Sequence, residues 1–456
     1  MSARKGVRGA RPVQRRSGRR VARSMDGRVL LRVLAILAST LVVLVALVAW
    51  LNFRDEGPAD DEATGTAAGA PESRAADTVV RGEYLVRAGS CHGCHTDRGG
   101  AAYAGGRAIE TPFGIVHSTN LTPDRATGLG GWTAADFWRA MHNGRSRDGR
   151  LLYPVFPYPN YTRLTRADSD AMFAYLQSLA PVAQEPKGHA LRFPFGLQPT
   201  LAVWRALFFR PASFEPDASR SAEWNRGAYL VETLGHCNAC HSRRNVFGAT
   251  AGPLDLAGGL IPIQNWYAPS LNAREEASVA DWPAADVIGL LKDGISSRGS
   301  VQGPMAEVVR GSTRFLSDAD LAAMASFLRS LPPVPPTPPA GPRALATDRG
   351  ARLYGDHCAA CHGDRGEGVP RAYPPLAGNR AVLMTPSANL VHVVLRGGYP
   401  PTTAGNPRPF GMPPFATVLS DADVAELLTY LRASWGNQAP TVSALEVGRY
   451  RGASVR

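Results

Sequence analysis

The sequence predicts an all-α chain, with three small helical domains in tandem behind one membrane-spanning N-terminal helix. Three observations carry that expectation. A C-x-x-C-H pentad occurs three times, at Cys91-His-Gly-Cys94-His95, Cys237-Asn-Ala-Cys240-His241 and Cys358-Ala-Ala-Cys361-His362, and consumes all six cysteines. The 456 residues, at about 150 per domain, allow one domain per pentad. An uncharged run, VLAILASTLVVLVALVAWLNF, lies between Arg32 and Arg54.

From the N-terminus, residues 1–32 form a basic tail that holds eleven Lys/Arg against Asp26 alone, and so carries most of the net charge of +12. The remainder is nearly neutral, which excludes a nucleic-acid surface. Residues 33–53 are long enough, at 1.5 Å per residue, to cross a hydrocarbon layer of roughly 30 Å. Arginines crowd one flank and Asp55, Glu56, Asp60, Asp61 and Glu62 the other, so the positive-inside rule places the pentad-bearing part of the chain outside the cytoplasm. The run exceeds a usual signal-peptide core and no A-x-A site closes it, which favours an uncleaved anchor in the inner membrane. Residues 54–76, small and polar, read as a flexible stalk.

The pentads sit inside a longer repeat. RGEYLVRAGSCHGCH from Arg81, RGAYLVETLGHCNACH from Arg226 and RGARLYGDHCAACH from Arg349 each predict a short helix that delivers the chain to the pentad. A second helix closes each unit, TRADSDAMFAYLQSL from Thr165, SDADLAAMASFLRSL from Ser317 and SDADVAELLTYLRAS from Ser420. Thr165, Ser317 and Ser420 are expected N-caps, with Asp168, Asp320 and Asp423 completing capping boxes. The domains are placed at 77–182, 220–333 and 344–438. An apolar connector (183–219) separates the first two, a Pro-rich linker (334–343) the last two, and a C-terminal tail (439–456) closes the chain. The connector is rich in Leu201, Val203, Trp204, Leu207, Phe208 and Phe209 and predicts a helix, packed either between domains or on a membrane or partner.

Two thiols one short turn apart can add to the two vinyl groups of a haem while the next imidazole meets the iron. A zinc site needs four ligands close together, whereas these pairs lie more than a hundred residues apart, each with its own histidine. The pentads therefore predict three covalent c-type haems, attached at Cys91, Cys94, Cys237, Cys240, Cys358 and Cys361, with His95, His241 and His362 as proximal ligands. Helix, pentad, irregular middle and capped last helix make the plan of a class I cytochrome c.

A thioether in the sixth position raises the potential and shuts out substrates. Met305 and Met412, twelve and eight residues before Ser317 and Ser420, hold the expected place. The first repeat has Phe156 or Val155 there, and neither binds iron. Its alternatives align with ordinary slots: Met172 with Met324, Met141 with Leu291 and Leu395, His142 with Lys292 and Arg396, and His117 with Tyr267 and Tyr373 on a loop expected at the proximal side. His142, Met141 and no ligand at all stay open.

These motifs, with TPFGIVHSTNLTPD from Thr111, LYPVFPY from Leu152, WYAPSLN from Trp266 and GPMAEVV from Gly303, resemble the triple-haem cytochrome c subunit of bacterial membrane-bound dehydrogenases. The resemblance spans about residues 78–436. It implies a subunit without a catalytic centre, which takes electrons from a molybdenum, flavin or quinone-cofactor dehydrogenase and passes them to membrane quinone or a terminal oxidase. It also gives His95, His241, His362, Met305 and Met412 the axial roles. Phe156 departs from the LYPxMPY loop of the alcohol-type members and is more like relatives paired with molybdenum hydroxylases of aldehydes or N-heterocycles. Competing readings are a peroxidase-like haem enzyme using an open first haem, and a cytochrome c subunit of an oxidase.

Overall fold

A computed structural model describes residues 27–54, 72–252, 255–335 and 341–452. Residues 1–26 of the basic tail, most of the stalk and the centre of the Pro-rich linker fall outside those residues. The chain divides after Phe53 into two compact units. The first holds α1 (Gly27–Phe53), long and apolar enough to cross a membrane by length and composition. Its polar side chains bond within the helix, Thr40 to the Ile36 carbonyl and Asn52 to that of Val48, each at 2.8 Å, as an apolar surrounding requires.

The second unit carries the three repeats. In the first, α2 (Glu72–Ala88) leads to the pentad helix α3 (Cys91–His95), and α4 (Ala134–Asn143), α5 (Tyr158–Tyr161) and α6 (Arg166–Ser178) come after it. The connector contains α7 (Gln198–Phe208). The second repeat runs through α8 (Ala222–Tyr229), α9 (Ala284–Asp293), α10 (Gly303–Gly311) and α11 (Asp318–Arg329). The third comprises α12 (Asp348–His357), α13 (Ala359–His362), α14 (Arg380–Leu383), α15 (Ala388–Arg396), α16 (Asp421–Ala433) and α17 (Ala444–Arg451). The all-α expectation included no strands, yet the TPFGIVH segment forms an antiparallel hairpin, Ala108–Thr111 with Gly114–His117, which Ala190–Leu191 extends.

First and last helices cross in every repeat, and glycine makes the crossing possible. A Cβ on Gly82 would stand 1.9 Å from the Ala171 carbonyl oxygen, and one on Gly227 2.0 Å from that of Ala323. Gly350 meets the Tyr430 Cβ at 2.6 Å in the same way. Without side chains there, the two backbones touch. The second repeat has one residue more than the first between this arginine-glycine pair and the pentad, and a π-helical turn over Leu230–Leu234 absorbs it.

Caps match the sequence with one difference. Thr165, Ser317 and Ser420 accept from the backbone N–H of Asp168, Asp320 and Asp423. Only the Ser420 box is complete among these three, because Asp168 and Asp320 are drawn to other partners. Helix α7 buries one face against the repeats and leaves the other exposed. Leu201 and Arg205 are buried, with Arg205 donating to the Asn143 carbonyl at 2.6 Å, whereas Leu207 is exposed.

The first two repeats share one core, in which Leu85, Phe137 and Met172 join Leu230, Leu321 and Met324. The third has its own, built on Tyr354, Val391, Leu427 and Leu428. Into it the C-terminal segment inserts Val447 from α17, so the residues past 438 complete this core. Arg432 is fully buried beside it, donating to the carbonyls of Pro440 (2.7 Å), Val382 (2.9 Å) and Met384 (3.0 Å). Arg432→Met leaves three carbonyls unpaired and is expected to cost roughly 2–4 kcal/mol. Urea unfolding followed by tryptophan fluorescence checks this, and an unchanged midpoint would refute it.

Candidate haem sites

In the first two repeats a left-handed residue turns the chain into the pentad, Ser90 (φ 52°) and His236 (φ 38°). None of the six cysteines forms a disulfide. Burial, and then the partner thiol, push the first thiol of each pentad up, to about 12 at Cys91 and Cys237 and about 11 at Cys358.

The histidines share one arrangement. His95 Nδ1 bonds to the Thr119 carbonyl at 2.7 Å, His241 Nδ1 to that of Pro269 at 2.6 Å, and His362 Nδ1 to that of Pro374 at 3.0 Å. A carbonyl can only accept, so Nδ1 carries the proton and Nε2 keeps its lone pair. Burial lowers the pKa of all three imidazoles and favours the neutral, ligating form. The acceptors come from the loops that hold His117, Tyr267 and Tyr373, which the repeat alignment placed on the proximal side. Two cysteines and an oriented neutral imidazole are the donor set that c-type haem requires. Among the described residues no cluster of three or more His, Cys, Asp or Glu is placed to hold a metal ion.

Met305 and Met412 are partly buried. Met305 is in the first turn of α10, not on a loop, and packs against the shared core. Met412 packs on the third core, fixed by a two-way backbone pairing with Gly398 at 3.0 and 2.9 Å. In the first repeat Phe156 packs against the shared core, 5.5 Å from the Tyr161 ring. Met141 and Met172 are buried in that core, and His142 stacks on Trp138 at 4.5 Å.

Two arginines at these sites had no signal in the sequence pattern. Arg107 donates to the Gly93 carbonyl inside the first pentad and faces Glu307 of α10 at 3.6 Å, and Arg244 donates to the equivalent Ala239 carbonyl in the second. Their places relative to the pentads differ, so no shared motif marked them. The third repeat docks on the second through polar contacts. Asn389 exchanges two hydrogen bonds with the Tyr267 backbone, and His392 stacks on Trp266 at 4.9 Å.

The cytochrome c family model matches residues 79–180 and 347–435. The cytochrome c subunit of the quinone alcohol dehydrogenase of Gluconacetobacter polyoxogenes is 39% identical over 407 residues, covering 85% of this chain and 87% of its own. The chain belongs to the family of cytochrome c subunits of bacterial dehydrogenases. The gluconate 2-dehydrogenase cytochrome c subunit of Pantoea cypripedii is 36% identical, over 83% of this chain and 91% of its own. A nicotinate dehydrogenase subunit of Pseudomonas putida is 42% identical over 82% of this chain, which spans 32% of that longer protein. Like other cytochrome c subunits of this family, the protein transfers electrons and is not the catalytic subunit. These relatives do not favour a peroxidase-like enzyme or an oxidase subunit.

Proposed function

We propose that the chain carries three c-type haems in three tandem cytochrome c domains, one on each pentad. Through them it passes electrons from a catalytic dehydrogenase to membrane quinone or a terminal oxidase. The observation that supports this best is the threefold recurrence of an imidazole whose Nδ1 is tied to a loop carbonyl beside the two cysteines of its pentad. When bound, the haem supplies a one-electron iron couple. The chain's own residues would do the rest: Cys91, Cys94, Cys237, Cys240, Cys358 and Cys361 would anchor it, His95, His241 and His362 would supply an oriented imidazole to the iron, and Met305 and Met412 would supply a thioether in the second and third repeats. The first repeat offers Phe156 at that position, with Met141 committed to the core, and this motivates a site there without a thioether. The partner is a molybdenum, flavin or quinone-cofactor dehydrogenase. Phe156, together with the 42% identity to a nicotinate dehydrogenase subunit, supports the molybdenum type. Helix α1 and the basic flank support an inner-membrane anchor with the haem domains outside the cytoplasm.

The test is haem stoichiometry from the pyridine haemochrome spectrum, with potentiometric titration of Met305→Ala and Met412→Ala. Three haems per chain are expected. Each variant should lower one midpoint potential by at least about 0.1 V, a small part of the roughly 0.8 V that axial ligands span. Two haems, or potentials indifferent to both substitutions, would overturn the assignment.

A further inference from the structure

Of the three equivalent caps, only Ser420 keeps its box, in which Asp423 accepts from the Ser420 N–H at 3.1 Å. At the other two, a tyrosine from the opposite repeat has taken that N–H. Thr165 N–H donates to the Tyr229 hydroxyl at 3.3 Å, and Ser317 N–H to the Tyr84 hydroxyl at 3.1 Å. Each hydroxyl then donates to the carboxylate the box would have used, Tyr229 to Asp168 and Tyr84 to Asp320, both at 2.6 Å. Each carboxylate also holds an arginine of its own repeat, Arg81 on the other oxygen of Asp168 and Arg226 across both oxygens of Asp320. Tyr84 and Tyr229 occupy the same place in RGEYLV and RGAYLV, so the exchange is reciprocal. The third repeat has Arg352 at that place, offers no hydroxyl and keeps its own box.

We propose that Tyr84 and Tyr229 are positioning residues, a reciprocal clasp that locks the first two repeats together and holds the Cys91–His95 and Cys237–His241 attachment turns at one separation. Neighbouring contacts carry the clasp to the pentads. Tyr161 donates to the Gly89 carbonyl at 2.9 Å, two residues before Cys91, and sets its ring edge-on to His236, the residue before Cys237, at 5.6 Å. Ser312 of the second repeat donates to the Ala88 carbonyl at 2.8 Å, and Asn160 of the first to the Glu232 carbonyl at 2.7 Å. A hinge between these repeats would move both attachment turns. The asymmetry is a consequence: the first two centres form one rigid pair, and the third is a separately docked member. The inference rests on the proposed haem at each pentad for its electron-transfer consequence, but not for the clasp itself.

The test uses the full-length membrane protein with Tyr84→Phe, Tyr229→Phe and the double variant. Ser330→Ala is the control, because it removes a hydrogen bond between α8 and α11 within the second repeat. Phenylalanine keeps the ring and leaves each aspartate on its arginine, so folding should survive. Hydrogen exchange should show amides of α2, α6, α8 and α11 losing protection together, roughly tenfold or more per tyrosine, the effect of one buried charge-assisted hydrogen bond. Amides of α12 and α16 should not change. Electron exchange between the first two haems after flash reduction should slow in the double variant and not in Ser330→Ala. Independent opening of the two repeats, or tyrosine variants indistinguishable from Ser330→Ala in both readouts, would overturn the clasp. Fewer than three haems in the unmodified chain sinks the functional reading instead, and the exchange experiment then decides the clasp alone.

Discussion

Gly227→Ala and Gly82→Ala are expected to unfold the joint core of the first two repeats, each destabilising it by at least about 3 kcal/mol, the upper part of the range for overpacking. The new methyl would lie about 2 Å from a carbonyl oxygen of the crossing helix, Ala323 or Ala171. The obstacle is backbone on both sides, so no rotamer change relieves it. The helices must separate, and Leu230, Leu321 and Met324 lose their packing with them. Gly350→Ala meets the Tyr430 Cβ at 2.6 Å in the separate third core and should spare the first two repeats. Thermal unfolding followed by circular dichroism and limited proteolysis distinguishes these outcomes. A Gly227→Ala protein with the parent's transition would show that the helices cross with room to spare.

Cys237→Ser/Cys240→Ser is expected to remove the second haem and to weaken the first repeat as well, whereas Cys358→Ser/Cys361→Ser removes the third haem alone. Both pairs should cut haem content by about a third. They differ in reach because of packing. Cys91, Cys237 and Met305 all line one core, so a group missing from the second pentad exposes apolar surface to both repeats. Cys358 lines the other core, which meets the second repeat through polar contacts such as Asn389 with the Tyr267 backbone. Haem staining of proteolytic fragments reads the result. Equal protease sensitivity of the first repeat in the two variants would show that the shared core does not couple them.

The candidate attachment sites were legible because the pattern is local. C-x-x-C-H needs only one turn of chain to bring two thiols and an imidazole together, so the three pentads and the capped helices around them could be read directly. The carbonyls that orient His95, His241 and His362 were foreshadowed only as a loop near the proximal side. Arg107 and Arg244, acting on equivalent pentad carbonyls from inequivalent places, left no periodic trace. Arg432 hid in a helix pattern where an arginine is ordinarily exposed.

By itself the sequence determined what is encoded within a turn or two of chain: three C-x-x-C-H pentads, their flanking helices and caps, and a membrane-length apolar helix. Only the tertiary structure decided that the repeats are unequal partners. Asp168, Asp320 and Asp423 stand at the same cap position, three residues after a Thr or Ser N-cap, and each could close its own capping box. Which of them does so depends on whether a tyrosine arrives from another repeat, at Asp168 and Asp320 but not at Asp423. A hydrogen bond between residues 61 or 236 positions apart is set by how helices pack, and no local pattern reports it.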